Sequence, residues 1–185
     1  MKNIAILASG SGTNAEEIMK YFQNSSKGKV VLVASNLKEA FVLERAKKFQ
    51  VPSYNFNKAS LQSGELAQKL KDYKVDVVVL AGFLLKIPDN LILAFPKSIV
   101  NIHPALLPKY GGKGMYGAKV HEAVKESGDK ETGITIHLVN ENYDEGKIIF
   151  QAAVSISPGD SPETISQKVH RLEYKYFPNV IESLL

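Results

Sequence analysis

The stretch Met1-Lys2-Asn3-Ile4-Ala5-Ile6-Leu7-Ala8-Ser9-Gly10-Ser11-Gly12-Thr13-Asn14 decides the architecture of this chain. A short apolar run enters a glycine-rich turn, and an amphipathic segment follows at 13–25. Such a pattern places a buried strand before a turn that opens a helix. One basic residue and a short apolar run lead into glycines rather than a small-residue cleavage site. The opening is therefore a strand and not a signal peptide.

Outward from this unit the alternation continues. Apolar runs at 3–8, 30–35 and 75–81 are rich in Val, Ile and Leu, as strands buried on both faces are. Amphipathic stretches near 13–25, 38–49 and 60–73 separate them, with shorter strands expected at 52–56 and 98–102. The fold class this implies is α/β: an open, mostly parallel twisted sheet of Rossmann-like type with helices on both faces. The second half changes character. A loop rich in Pro and Gly spans 103–116, a helix is expected near 117–127, and extended runs at 132–139 and 147–156 flank the turn Asn140–Gly146. These runs predict an antiparallel hairpin in the C-terminal half. Ser161 and Pro162 start a last helix, in which Pro178 is expected to cause a kink.

With 185 residues, a single domain can bury about 70% of its unfolded surface. The absence of Cys excludes disulfides and thiolate metal sites and fits a reducing cytoplasm. No apolar stretch approaches the ~18 residues of a membrane helix. The formal charge of +4 favours anionic ligands. Its Lys and Arg residues are scattered, however, without the basic stripe of a nucleic-acid binder.

Glycines at 10 and 12 allow a ligand close to the backbone, and free amides at a helix start attract anions. With Ala15 the turn reads G-x-G-x-x-A, part of a dinucleotide fingerprint. A dinucleotide site needs an acid at the end of the second strand, where this chain has Ala34-Ser35-Asn36. A single phosphate fits better, with a plain tight turn as the alternative.

Asn101 and His103 stand two apart at a strand end and so share a face. Pro104 favours an extended His103. Ligands of open α/β sheets bind beyond the carboxyl ends of the strands, which puts this pair on the same rim as the glycine turn. For the other histidines the expectation is structural: His121 on the surface, His137 packed in a strand, His170 undecided. None makes a metal pair at helical spacing. Asp144 lies in a turn, where local hydrogen bonding alone accounts for an Asp.

The segment Asn101-Ile102-His103-Pro104-Ala105-Leu106-Leu107-Pro108-Lys109-Tyr110 resembles the N-I-H-P-S-L-L-P-x-Y signature of folate-dependent formyltransferases. Leu80-Ala81-Gly82-Phe83 with Leu84-Leu85-Lys86-Ile87 is similar to the family's A-G-F-M-R-I-L segment. Gly133 to His137 and Asp144 to Gln151 are similar to its G-x-x-x-H and D-x-G-x-I-x-x-Q elements. The resemblance covers nearly the whole chain in order. Ser11-Gly12-Thr13-Asn14 resembles the members that formylate glycinamide ribonucleotide. Members acting on initiator methionyl-tRNA carry a further C-terminal domain, and those that deformylate formyltetrahydrofolate a preceding regulatory domain; neither is expected here.

The resemblance implies transfer of the formyl group of 10-formyltetrahydrofolate to glycinamide ribonucleotide in purine synthesis, with deformylation as the alternative. It divides the single domain 1–185 into a phosphate-binding half, 1–100, and a catalytic and folate-binding half, 101–185. Gly12, Thr13 and Asn14 would hold the phosphate and Glu173 would contact the same substrate. Leu84, Leu85, Lys86 and Ile87, with Asn101 and the loop Asn140, Glu141, Asn142, Tyr143 and Asp144, would embrace the folate. Asn101, His103 and Asp144 would be catalytic. The expected mechanism has Asn101 and a protonated His103 donating to the developing oxyanion, while Asp144 raises the imidazole pKa. Expected partners are these two small molecules, with no metal, nucleic acid or membrane, in a cytoplasmic monomer or homodimer. Two departures stand out: no basic residue matches the family's near Ser63-Gly64, and the loop Gly111–Gly117 is longer than usual. A nicotinamide oxidoreductase or a basic nucleic-acid module would leave Asn101–Tyr110 unexplained.

Overall fold

Four consecutive residues of the first strand, Ile4, Ala5, Ile6 and Leu7, are fully buried, so this strand is covered on both faces. The computed structural model describes residues 1–185. Its elements run β1 (Lys2–Leu7), α1 (Thr13–Phe22), β2 (Gly28–Ser35), α2 (Phe41–Lys48), β3 (Ser53–Asn55), α3 (Lys58–Ser63), α4 (Glu65–Asp72) and β4 (Val77–Leu80). There follow α5 (Asp89–Ala94), β5 (Ile99–His103), α6 (Ala118–Ser127), β6 (Glu131–Leu138), β7 (Ile148–Ser155) and α7 (Pro162–Ser183). One seven-stranded sheet has the order β3-β2-β1-β4-β5-β6-β7. The first five strands in that order are parallel, β6 pairs antiparallel with β5, and β7 pairs antiparallel with β6.

Alternation along the strands builds two cores. Ile4 and Ile6 pack with Ile18, Phe22, Val169 and Phe177 of α1 and α7 on one face. Ala5 and Leu7 pack with Leu61, Leu66, Leu70 and Leu91 of α3, α4 and α5 on the other. Val100 and Ile102 of β5 and Ile134 and Ile136 of β6 face the α1–α7 side. Asn101, His103, Thr135 and His137 therefore share the opposite face. The sheet reverses direction of growth between β1 and β4, the switch point at which open α/β sheets place ligands.

The α/β class, the mostly parallel sheet and the C-terminal hairpin are as expected. The stretch at 60–73 is two helices, because Gly64 takes a left-handed φ of 87° between them. The six-residue α5 is too short to show a helical period and was not expected. Ser161 caps α7 by accepting from the Thr164 N–H, and the helix continues past the buried Pro178. No helix is long and apolar enough to cross a membrane.

Gly133 marks a close approach between β6 and β7. A Cβ there would lie 1.9 Å from the Ala152 carbonyl oxygen and 2.8 Å from Leu106 Cδ2. Gly133→Ala must spread β6 from β7, and a loss of about 2 kcal/mol is expected in urea unfolding. Unchanged stability would show that the hairpin does not need this contact.

Candidate active site

At the phosphate end, Gly12 caps α1 with φ 73° and ψ 30°. A side chain is excluded there on two grounds: the left-handed backbone, and a Cβ position 2.9 Å from Val42 Cα. The start of α2 rests on the turn. The Val42 N–H donates to the Gly10 carbonyl at 3.2 Å. Arg45 Nε donates to the Ser11 carbonyl at 2.8 Å, and its guanidinium also pairs with Glu16. Ser9 ties three strand ends together. Its N–H donates to the Gly82 carbonyl (3.0 Å), its hydroxyl to Asn36 Oδ1 (2.6 Å), and its Oγ accepts from the Leu84 N–H (3.0 Å). The first amides of α1 have no partner within the helix, so this braced turn offers donors to an anion.

Glu173 of α7 reaches the turn, as its expected role requires. Its buried carboxylate accepts from Asn14 Nδ2 and from His170 Nδ1, both at 2.8 Å. That hydrogen bond to Glu173, against the opposing effect of burial, raises the His170 pKa above the ordinary value of 6.5.

At the other end, the β5–β6 register sets Asn101 opposite His137 and His103 opposite Thr135. The Leu138 carbonyl, 2.9 Å from His137 Nδ1, can only accept, so Nδ1 carries a proton and donates it there. Nε2 then accepts from Asn101 Nδ2 at 3.1 Å. The Tyr110 carbonyl lies 2.7 Å from His103 Nε2 and fixes that ring's tautomer in the same way. This leaves His103 Nδ1 facing Asp144 Oδ2 at 3.6 Å. Asp144 Oδ1 stands 3.6 Å from His137 Nε2, and Oδ2 accepts the Gly112 N–H at 2.9 Å. Asn101, His103, His137 and Asp144 are thus one cluster.

The loop between β5 and α6 is held over it by polar contacts. Thr135 Oγ1 donates to the Ala105 carbonyl (2.7 Å) and accepts the Leu107 N–H (2.9 Å). Gln151 Nε2 donates to the Leu107 carbonyl at 3.0 Å. Gly111 packs so closely that an added Cβ would stand 2.5 Å from Leu107 and 3.3 Å from the Asp144 Cβ. The long glycine loop is therefore a wall of the site, touching its carboxylate.

Burial dominates the His103 pKa and pushes it below the ordinary 6.5, outweighing the upward pull of Asp144 and the Tyr110 carbonyl. The expected direction is reversed: His103 is neutral near pH 7, because desolvation of an imidazolium exceeds what one carboxylate 3.6 Å away returns. For Asp144 burial is the largest single effect and acts upward. His137, the His103 charge and the Gly112 N–H together outweigh it and hold the carboxyl below its ordinary 3.8. The carboxylate stays ionised.

Two expectations for histidines change. His121 is buried, 4% exposed, on the inner face of α6 beside Val120 and Val124, rather than on the surface. His137 is buried as expected, yet it is part of the cluster rather than only packing. Its sequence signal lies in the register of β6 against β5, which cannot be seen before the strands are paired. Burial lowers the His121 pKa, with His170 acting the same way.

A cleft of about 440 Å³ is lined by Leu61, Leu84, Leu85, Ile87 and Tyr143, with Lys58 and Lys86 among its polar residues. The Lys86 ammonium lies 5.9 Å from the Tyr143 ring centroid. Leu84 to Ile87 and Tyr143 are thus brought together, whereas Asn140, Glu141 and Asn142 lie outside this lining. No group of three or more His, Asp or Glu side chains is arranged to hold a metal ion.

Fold and rim together define an α/β group-transfer enzyme with a braced glycine turn at a helix start and an Asn-His-Asp cluster at the carboxyl ends of its strands. The sequence model of the formyl transferase family matches residues 2–181, and the chain belongs to that family. Phosphoribosylglycinamide formyltransferase of Bacillus subtilis (strain 168) is 37% identical over 192 residues, covering 100% of this chain and 95% of the relative. The chloroplastic phosphoribosylglycinamide formyltransferase of Arabidopsis thaliana is 44% identical over 190 residues; 99% of this chain is covered, and the chain spans 65% of that relative's length. The crystal structure of glycinamide ribonucleotide transformylase 1 from Geobacillus kaustophilus superposes with a TM-score of 0.91 at 34% identity, covering 100% of this chain and 99% of that one.

The neutral buried state of His103 has a consequence for stability. Its folded pKa lies below the unfolded 6.5, so unfolding takes up a proton when the pH is lower than that. The contribution of His103 is complete above the ordinary histidine value and declines as pH falls from there toward the folded pKa. Urea midpoints measured from about pH 8 to about pH 5 should fall less steeply for His103→Asn than for the wild type. Identical slopes would contradict a neutral His103.

Proposed function

We propose that this chain transfers the formyl group of 10-formyltetrahydrofolate to the amine of glycinamide ribonucleotide. The observation that carries this is the placement of Asn101, His103 and Asp144 on one rim with the Gly12–Asn14 turn. The relatives matching over the whole chain bear the corresponding name, which supports formyl transfer over deformylation.

The formyl donor supplies the carbonyl carbon that the amine attacks. Asn101 Nδ2 carries two hydrogens, one of them engaged by His137. The second is the donor assigned to the formyl oxygen as negative charge develops there, a contact worth about 3 kcal/mol when preorganised. His103 enters neutral and accepts the proton of the attacking amine at Nδ1, since Nε2 is committed to the Tyr110 carbonyl. Asp144, kept ionised, stabilises the imidazolium formed beside it. His103 then returns the proton to the leaving folate nitrogen. Gly12, Thr13 and Asn14 hold the phosphate, and Glu173 faces the ribosyl part.

The apolar cleft with Tyr143 suits an aromatic folate, and Lys58 and Lys86 suit the carboxylates of its glutamate. They replace the basic residue missing near Ser63. The expected substrates are small molecules alone, used in the cytoplasm.

Release of tetrahydrofolate should require glycinamide ribonucleotide. Turnover at equal rate without this acceptor would instead indicate a deformylase. In the same assay Asp144→Asn should lower kcat by about a hundredfold or more while acceptor KM stays near that of the wild type; a change in KM alone would remove Asp144 from the chemistry. Replacing Lys58 and Lys86 together by Ala should raise KM for the formyl donor several-fold, on the order of fivefold, and leave acceptor KM alone. A normal donor KM would place the glutamate elsewhere.

A further inference from the structure

His121 is a buried histidine that the fold does not explain. It occupies an inward position of α6 next to Val120, and α6 packs on α7. A structural histidine in such a place bonds a carbonyl or a side chain. The buried Nδ1 of His121 has no hydrogen-bond partner in the protein. Asn14 shares this property: its Nδ2 is held by Glu173, which fixes the amide, and its buried Oδ1 is unpartnered.

Both atoms belong to the neighbourhood of Glu173. Asn14 bonds it directly. His121 is on the buried side of α6, which packs on α7, the helix that carries Glu173 and His170. Asn14 and Glu173 thus lead from the glycine turn to α7. The proposed acceptor carries a phosphate, a sugar with two hydroxyls, an amide and the reacting amine. Glu173 Oε2 is saturated by Asn14 and His170, so the sugar hydroxyls need further partners beside it.

We infer that His121 is an acceptor-binding residue, its imidazole hydrogen-bonding the sugar–amide part of the ribonucleotide together with Asn14 Oδ1 and Glu173. This rests on the acceptor proposed above. His121 positions the substrate and takes no part in proton transfer, which is left to His103.

The test is steady-state kinetics on the full chain, with thermal unfolding as the check on folding. His121→Phe keeps a ring in the helix interface and removes both nitrogens. It should raise KM for glycinamide ribonucleotide roughly tenfold, the effect of one lost hydrogen bond to a buried group. KM for the formyl donor and kcat should stay within about twofold, the pattern of lost uniform binding. His121→Asn, with a polar atom near the place of Nδ1, should recover most of the acceptor affinity. Native acceptor KM in folded His121→Phe, or a drop in Tm with unchanged KM, overturns the inference and makes His121 structural. Wild-type turnover that ignores glycinamide ribonucleotide overturns the proposed function and this inference with it; wild-type dependence on it with a normal His121→Phe overturns the inference alone.

Discussion

The rim of this protein is organised around one negative charge, the carboxylate of Asp144. A partly buried carboxylate needs donors or opposite charge around it. Here the Gly112 N–H supplies a hydrogen bond, and His103 and His137 stand at 3.6 Å on its two oxygens. Three segments far apart in the chain are thereby joined: the end of β5, the glycine-rich loop after it, and the turn between β6 and β7. The long loop is tolerated because its glycines let the backbone itself approach the carboxylate.

The two ends of the cleft use different means. The glycine turn at the start of α1 is made of backbone, pinned by Ser9 and by the first turn of α2. Backbone donors do not titrate; the titratable groups at this end are Glu173 and His170, which bond Asn14 and each other. The chemical end is made of side chains whose protonation matters. Burial sets His103 as a base before the reaction, and the nearby carboxylate makes its charged form accessible during it. A stronger attraction would hold a permanent imidazolium, and weaker burial would admit competing water.

The family shares the signature around His103, but the setting differs in this chain. Lys58 and Lys86 stand at the apolar cleft beside Tyr143. The loop Gly111–Gly117 provides an N–H rather than a side chain to Asp144.

Much was legible from the sequence by itself. Strand and helix periods determined the α/β class, since runs such as Ile4–Leu7 can only be buried on both faces. The spacing of Asn101 and His103 and the glycine turn determined that both lie on one rim. Asp144 was recognisable only by resemblance, because an Asp in a turn has an ordinary local explanation. Tertiary structure alone decided the rest: that His137 meets Asn101, that His121 is inside, and that His103 is neutral. Pairing register, helix packing and desolvation are properties of surfaces brought together. They depend on residues 36 positions apart or more, as for Asn101 and His137, and no local pattern carries that information.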